Sequence, residues 1–329
     1  MPAFSETILS WYAAYGRDLP WRRTGDPYAI WLSEIILQQT RIAQGRAYWE
    51  RFMERFPTVE ALAQADEDEV LRLWQGLGYY SRARNLHAAA RQVVALGHFP
   101  DTLDGIKALK GVGDYTAAAI GSIAFGLPAA VVDGNVYRVL ARHYGIATPV
   151  GSTAAKKEFS SLAQSLLPPE RPGDFNQGMM DFGALQCTPV APLCPLCPLA
   201  GSCAALATGA VDRLPVKEKG AAVQERRFDY VYVRFRGRTA IRRRGPGDIW
   251  TGLYEPLTSR PGLDPQSITQ LKAGVKHQLT HRTLLVDFYL WEPAEEPTLP
   301  EGYIWIDEAE LDRYAKPRLF ELLLESLPR

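Results

Sequence analysis

Through the first two-thirds of the chain, apolar residues recur three and four positions apart. Tyr28, Trp31, Leu32, Ile35 and Ile36 form one such set, and Val70, Leu71, Leu73 and Trp74 another. That spacing places them on one face of a 3.6-residue helix, so the segment is predicted to be all-α. The texture changes near residue 212. The stretch "VDRLPVKEKGAAVQE", 211–225, is charged and interrupted by Pro and Gly, as linkers are. Beyond it, "FDYVYVRFRGRTAIRRR" and "HRTLLVDFYLWEP" alternate and are rich in aromatic and β-branched residues, which predicts strands. The tail "DEAELDRYAKPRLFELLLESL" returns to helical spacing. The expected organisation is a helical domain over 1–211, a linker over 212–225 and an α+β domain over 226–329. No internal repeat interrupts it.

Composition agrees with a two-domain globular chain: 329 residues, 47% hydrophobic and 22% charged. The N-terminal "MPAFSETILSWYAAYG" lacks a basic stretch followed by an apolar one, and no uncharged apolar run reaches spanning length. A monomer in the cytoplasm is expected, with no membrane partner. Charge balances at 37 basic against 37 acidic residues, so no global field draws the chain to nucleic acid. Its distribution is uneven: residues 226–285 hold 12 basic against 4 acidic side chains, and residues 286–329 hold 4 against 11.

All 4 cysteines lie in "CTPVAPLCPLCPLAGSC", as Cys187, Cys194, Cys197 and Cys203. In a reducing cytosol, clustered thiols point to metal ligation before disulfides. Four thiolates without a nearby histidine suit either tetrahedral zinc or a [4Fe–4S] cubane, and spacing alone leaves both open. The pattern C-x6-C-x2-C-x5-C with its proline-rich filling resembles the cluster loop of the endonuclease III superfamily of DNA glycosylases. That resemblance implies [4Fe–4S].

Other stretches carry the same resemblance. In "LKGVGDYTAAAIG", 109–121, Gly111 and Gly113 frame a tight turn between two helical segments, a place where backbone N–H groups at a helix start can receive a phosphate. It is similar to the superfamily's helix-hairpin-helix. "VVDGNVYRVLAR", 131–142, places Asp133 ahead of a helix, where it can also serve as N-cap. Bifunctional members of the superfamily carry a lysine where this chain has Tyr115. A tyrosine there resembles the adenine glycosylases of the MutY type, as do "DPYAIWLSEIILQQTR", 26–41, and "GLGYYSRARN", 76–85. The likeness is dense over 10–213.

Glu34 stands between Leu32 and Ile35-Ile36-Leu37 in a helix with few polar positions, so its carboxyl is predicted to be partly desolvated and its pKa raised. Cleaving an N-glycosidic bond needs a protonated acid at the departing base and an anion beside the sugar. Glu34 and Asp133 fit those two roles. The resemblance further implies that Tyr115 and Asn135 position the carboxylates and that Arg17, Trp21, Arg22 and Gln177 surround a flipped adenine. It implies that Gln39 and Tyr79 wedge into the duplex with Thr40 and Leu77 at the orphaned base.

The C-terminal part resembles the MutT/Nudix-like module these enzymes use to recognise 8-oxoguanine, without a Nudix hydrolase box. Where many relatives have Phe-Ser-His, this chain has Leu279, Thr280 and His281, so the lesion contact falls to Thr280 and His281 without a stacking ring. The implied partner is duplex DNA with A:8-oxoguanine or A:G mispairs. Two other readings compete. A bifunctional glycosylase/lyase is disfavoured by Tyr115 and the extra domain, and a silent DNA-binding iron–sulfur protein is disfavoured by the retained Glu34 and Asp133.

Overall fold

The computed structural model describes residues 3–218, 224–259, 267–279 and 282–328. Its helices, in chain order, are α1 (Phe4–Tyr15), α2 (Pro27–Leu37), α3 (Ile42–Arg55), α4 (Val59–Gln64), α5 (Glu67–Leu73), α6 (Ser81–Leu96), α7 (Leu103–Lys107), α8 (Asp114–Phe125), α9 (Gly134–Tyr144), α10 (Thr153–Leu166), α11 (Pro172–Leu185), α12 (Ala204–Ala207) and α13 (Arg318–Leu324). The strands are β1 (Gln224–Val233), β2 (Arg238–Arg243), β3 (Tyr254–Glu255), β4 (Ile268–Gln278), β5 (Arg282–Trp291) and β6 (Tyr303–Asp307). No described helix is long and apolar enough to cross a membrane.

Contacts divide the chain into two compact units, 1–60 with 88–219 and 61–87 with 220–329. The first is helical. Asp26 caps α2 by accepting from the Tyr28 N–H at 3.0 Å, and Pro27 takes the first turn, where a missing N–H costs nothing. From Tyr28 to Ile36, α2 is buried at every position except Glu34. A helix buried almost all round carries one carboxylate, and the site is built at that position. Beside it, α11 packs against α1, α8 and α9 over a core that includes Ile8, Trp11, Leu140, Phe159, Phe175 and Phe182. Val211, Leu214 and Val216, expected at or near the linker, pack on that same core.

In the second unit, two three-stranded sheets form, β1-β5-β4 and β3-β2-β6. β1 runs parallel to β5 while the other pairings are antiparallel. Tyr230, Tyr232, Phe288 and, from α13, Leu319, Phe320 and Leu323 make its core. The basic block is largely neutralised from within. Glu255, only 1% exposed, pairs with Arg242 at 2.7 Å and with Arg244, Arg226 pairs with Asp248, Arg234 with Glu308, and Arg238 with Glu296. Arg243 reaches Glu67 at 2.8 Å. Among the described residues, most arginines of the block are therefore paired with carboxylates of the same unit.

Candidate active site

Eight of the residues singled out for chemistry come together in the helical unit. Glu34, Tyr115, Asp133, Asn135, Arg17, Trp21, Arg22 and Gln177 line one cavity of about 300 Å³, and Thr40, expected beside an orphaned base, is part of its wall. Ile30, Ser33, Arg41, Ile123, Met180 and Ala184, which the sequence did not single out, complete much of the lining.

Glu34 is half-buried, its open side looking into the cavity. Burial pushes its pKa up to about 7, against the lowering influence of the Tyr115 hydrogen bond and the Arg22 charge, with Asp133 adding to the rise. The Tyr115 hydroxyl donates to Glu34 Oε2 at a long 3.4 Å and lies equally far from Met180 Sδ. Burial, then the charges of Glu34 and Asp133, hold the Tyr115 phenol well above its ordinary range, so it remains a donor. Glu34 is thus set between protonated and ionised near neutral pH, as a general acid requires.

Asp133 occupies the N-cap of α9. Its Oδ1 accepts from the N–H groups of Asn135 at 2.9 Å and Val136 at 2.8 Å, and its Oδ2 accepts from Asn135 Nδ2 at 2.7 Å. Capping and facing the cavity are compatible because the backbone donors fix the carboxylate from one side. Asn135 is held in turn: its Oδ1 accepts from Arg138 Nη2 at 2.8 Å, and the Arg138 guanidinium also donates to the carbonyls of Gly183 at 2.6 Å and Cys187 at 2.7 Å.

One residue the sequence did not flag organises the opposite wall. Asp181 on α11 is 0% exposed and receives Arg17 through its backbone N–H and its guanidinium, and Arg22 through both terminal nitrogens at 2.7 and 2.9 Å. Despite burial, these charged donors hold the Asp181 carboxyl below its ordinary value. Arg22 also lies 5.5 Å over the Tyr12 ring. Trp21 is buried and meets Trp49 edge to face at 5.7 Å.

The remaining expected residues lie elsewhere. Gln39 and Tyr79 are both exposed and both adopt left-handed backbone, with φ of 56° and 46°. Such conformations are uncommon outside glycine and are concentrated where function demands them. Within the second unit, Leu77 and Tyr79 border a cavity of about 740 Å³ together with Trp250, His277, Leu279 and Arg282. Thr280 and His281 lie outside the described residues.

Gly111, with φ 79°, makes the turn between α7 and α8, and Gly113 is the N-cap of α8. The two glycines serve different purposes. A side chain at Gly111 is strained by its φ, at about 1–2 kcal/mol, whereas a Cβ at Gly113 meets nothing within 4 Å in a conformation any residue can adopt. Gly113→Ala is therefore expected to melt with the parent protein while binding duplex DNA several-fold more weakly, because the methyl fills the space a phosphate needs at the helix start. Paired melting curves and fluorescence anisotropy titrations check this. Unchanged affinity would remove the turn from the DNA interface.

The four thiols are free and half-buried. Cys187, Cys197 and Cys203 pack against the helical core. Arg142, 3% exposed, places Nη1 3.4 Å from Cys187 Sγ and 2.7 Å from the Thr188 carbonyl, and its Nε donates to the carbonyls of Val211 and Leu214 at 3.0 Å each. Burial raises the Cys197 thiol to about 11 and also lifts Cys194, with neighbouring thiols adding to both. Among the described residues, no three His, Cys, Asp or Glu side chains converge closely enough to hold a metal ion in this conformation. The donor set itself, four soft sulfurs beside a buried guanidinium that offsets thiolate charge, fits an all-thiolate centre.

Comparison with known proteins agrees with this geometry. The HhH-GPD superfamily base excision DNA repair protein family matches residues 32–169, and the NUDIX domain family matches residues 230–326. The adenine DNA glycosylase of Homo sapiens is 48% identical over 198 residues, covering 57% of this chain and 36% of that protein, so the chain spans little more than a third of this relative's length. The adenine DNA glycosylase of Buchnera aphidicola subsp. Baizongia pistaciae is 34% identical over 298 residues, covering 86% and 84% of the two chains. Among solved structures, a thermostable thymine-DNA glycosylase aligns with a TM-score of 0.57 at 33% identity, over 62% of this chain and 95% of that one. A relative matched along most of both chains, together with a helical glycosylase match followed by a Nudix match, shows that the chain belongs to the adenine DNA glycosylase family, of the MutY type.

Proposed function

We propose that the protein is a base-excision-repair DNA N-glycosylase that hydrolyses the bond between adenine and its deoxyribose when adenine is paired with 8-oxoguanine or guanine. The observation that carries this reading is Glu34, raised to about 7 within one cavity that also holds the fixed carboxylate of Asp133. A protonated Glu34 gives its proton to adenine N7, the C1′–N9 electron pair leaves with the base, and Asp133 faces the positive charge that grows on the sugar. Water then adds at C1′ and loses its proton to a carboxylate. Tyr115 holds Glu34 by its hydroxyl and Asn135 holds Asp133. Arg17, Trp21, Arg22 and Gln177 form the adenine pocket.

A base stacked in a duplex cannot reach a cavity of this kind, so the adenine must be flipped out. Gln39 and Tyr79, exposed and left-handed, supply the wedge, and Leu77 borders the orphaned base. The glycine turn takes a phosphate. Catalysis is assigned to the helical residues 1–211 and 8-oxoguanine recognition to 226–329, with the protein acting as a monomer on cytoplasmic DNA. Cys187, Cys194, Cys197 and Cys203 would hold a [4Fe–4S] cluster, which when bound cross-links their loop.

The test is single-turnover adenine release from duplexes carrying A opposite 8-oxoguanine, A opposite guanine and, as control, thymine glycol. Release from the first two and none from the third is expected. Because Tyr115 replaces an amine nucleophile, borohydride should trap little covalent complex. Cleavage of thymine glycol without adenine release would reassign the substrate.

A further inference from the structure

We propose that Asp181 is a positioning residue that sets the protonation of Glu34 by neutralising Arg17 and Arg22, which line the same cavity as Glu34; this rests on the role just given to Glu34. Asp181 touches nothing in the cavity. It lies behind the wall, wholly buried, and its two oxygens accept from the Arg17 backbone N–H and from both guanidinium groups. Arg17 and Arg22 line the cavity in front of it, and the charge of Arg22 reaches Glu34.

The groups that face Glu34 come from several elements: Tyr115 on α8, Asp133 on α9, Arg17 and Arg22 after α1, Arg41 after α2, and Asp181 on α11 behind the arginines. A cavity holding two bare guanidinium groups would ionise Glu34 and leave no proton for the base. Paired with a buried carboxylate, they stand fixed at the cavity wall while the net charge they present to Glu34 is reduced by one. Asp181 therefore lets one wall be rich in donors and the other hold a protonated acid. The Arg17 backbone bond adds a second effect, since it fixes the segment that carries both arginines.

The measurement is a carboxyl-carbon NMR titration of Glu34 in the DNA-free protein, run beside the pH dependence of single-turnover adenine release. In Asp181→Asn, the midpoint of Glu34 should fall on the order of one pH unit, as expected for uncovering a unit charge several ångströms away. The alkaline limb of the rate should move down with it, a roughly tenfold loss at pH 8 and much less at pH 6. Asp181→Glu, which keeps the charge, should hold the wild-type midpoint. A merely structural Asp181 would lower melting temperature and rate alike at every pH and leave the Glu34 midpoint in place, which overturns the proposal. Should Asp181→Asn fail to fold, Arg22→Gln and Asp181→Asn/Arg22→Gln carry the comparison, since removing both ends of a buried pair leaves less uncompensated charge. The double variant should titrate Glu34 lower than Arg22→Gln alone because Arg17 is still uncovered, and equal midpoints overturn the proposal. Absence of adenine release from the wild-type protein would instead sink the proposed function, while the titration of Glu34 stands on its own.

Discussion

Glu34→Gln is expected to bind an A:8-oxoguanine duplex with near-parental affinity and to release adenine ~10²–10⁴-fold more slowly, the range over which a required general acid acts. The amide keeps the shape of the side chain and loses only the transferable proton. In the parent, a Glu34 raised to about 7 is protonated below that pH and ionised above it, so the single-turnover rate should fall as pH rises through 7. The variant should show no such limb. Stability should fall in the same direction. The folded pKa of Glu34 lies above its unfolded value near 4.5, so the folded state binds this proton more tightly between those pH values and loses stability as pH rises through the window. Above pH 7 the buried charge costs up to ~3 kcal/mol, an upper figure because the carboxyl opens on the cavity. Glu34→Gln should consequently melt higher than the parent at pH 8 and equal to it at pH 4. Parental rates in the variant would remove Glu34 from the mechanism, and an unchanged melting temperature at pH 8 would show that its carboxylate is well solvated.

That reading of Glu34 was available from four neighbouring letters, because an acid flanked by apolar residues on a helix with few polar positions has little that is wet to face. Asp133 was legible for a similar reason: a helix start selects an acid, and chemistry needs a second one. The cysteines announced themselves by crowding. What made Asp181 illegible is that its meaning lies in partners 159 and 164 positions away. Locally, in "GMMDFGALQC", it is one acid between Met180 and Phe182, and only that apolar flanking hinted at burial. Arg138 and Arg142 hid in the same way, spaced one turn apart on α9 like any solvated helical pair, yet both are buried and bonded to the cysteine loop.

The texture change at residue 212 marked where helices give way to strands, but contacts cut the chain differently. Residues 61–87 group with 220–329 through pairs such as Arg243 with Glu67 and Tyr254 with Asp68. Side-chain pairs between distant segments leave no periodic trace. The parallel pairing of β1 with β5 is equally silent, since alternation fixes which face a residue takes and not which neighbour its strand chooses. The charge of the arginine-rich strands is a further case where composition says less than pairing. Residues 226–285 carry an excess of eight basic side chains, yet folding pairs a buried Glu255 with both Arg242 and Arg244. Reversing the charge of Arg242 would therefore damage the sheet before it reported on DNA.

Cys197→Ser is expected to cost the protein its iron, its visible absorption and most of its soluble yield together. Between Asp181 and Asp212 there is no charged residue, and the loop has little else to order it. Its regular structure is two three-residue turns and the short α12, while Val190 and Leu196 are 82% and 78% exposed. Arg142 and Arg138 tie the Cys187 end through carbonyls, whereas Cys194 and Cys197 are held by local turn hydrogen bonds and by the packing of Cys197 on the helical core. Such a segment buries too little apolar surface to offset its conformational entropy. The proposed centre, binding only the folded arrangement, would supply the difference, so that ligation energy becomes folding energy. Protein made with ample iron should carry about four irons per chain. In the Ser variant, iron should drop to background and thermolysin should cut at Leu193 or Leu196, which the parent resists. Trypsin is uninformative here because the loop offers it no Lys or Arg. Zinc in place of iron in the parent would identify the wrong metal. An iron-free Cys197→Ser protein that stays soluble and resists thermolysin would mean that Arg142 and the apolar contacts of Cys187 and Cys203 hold the loop without any centre at all.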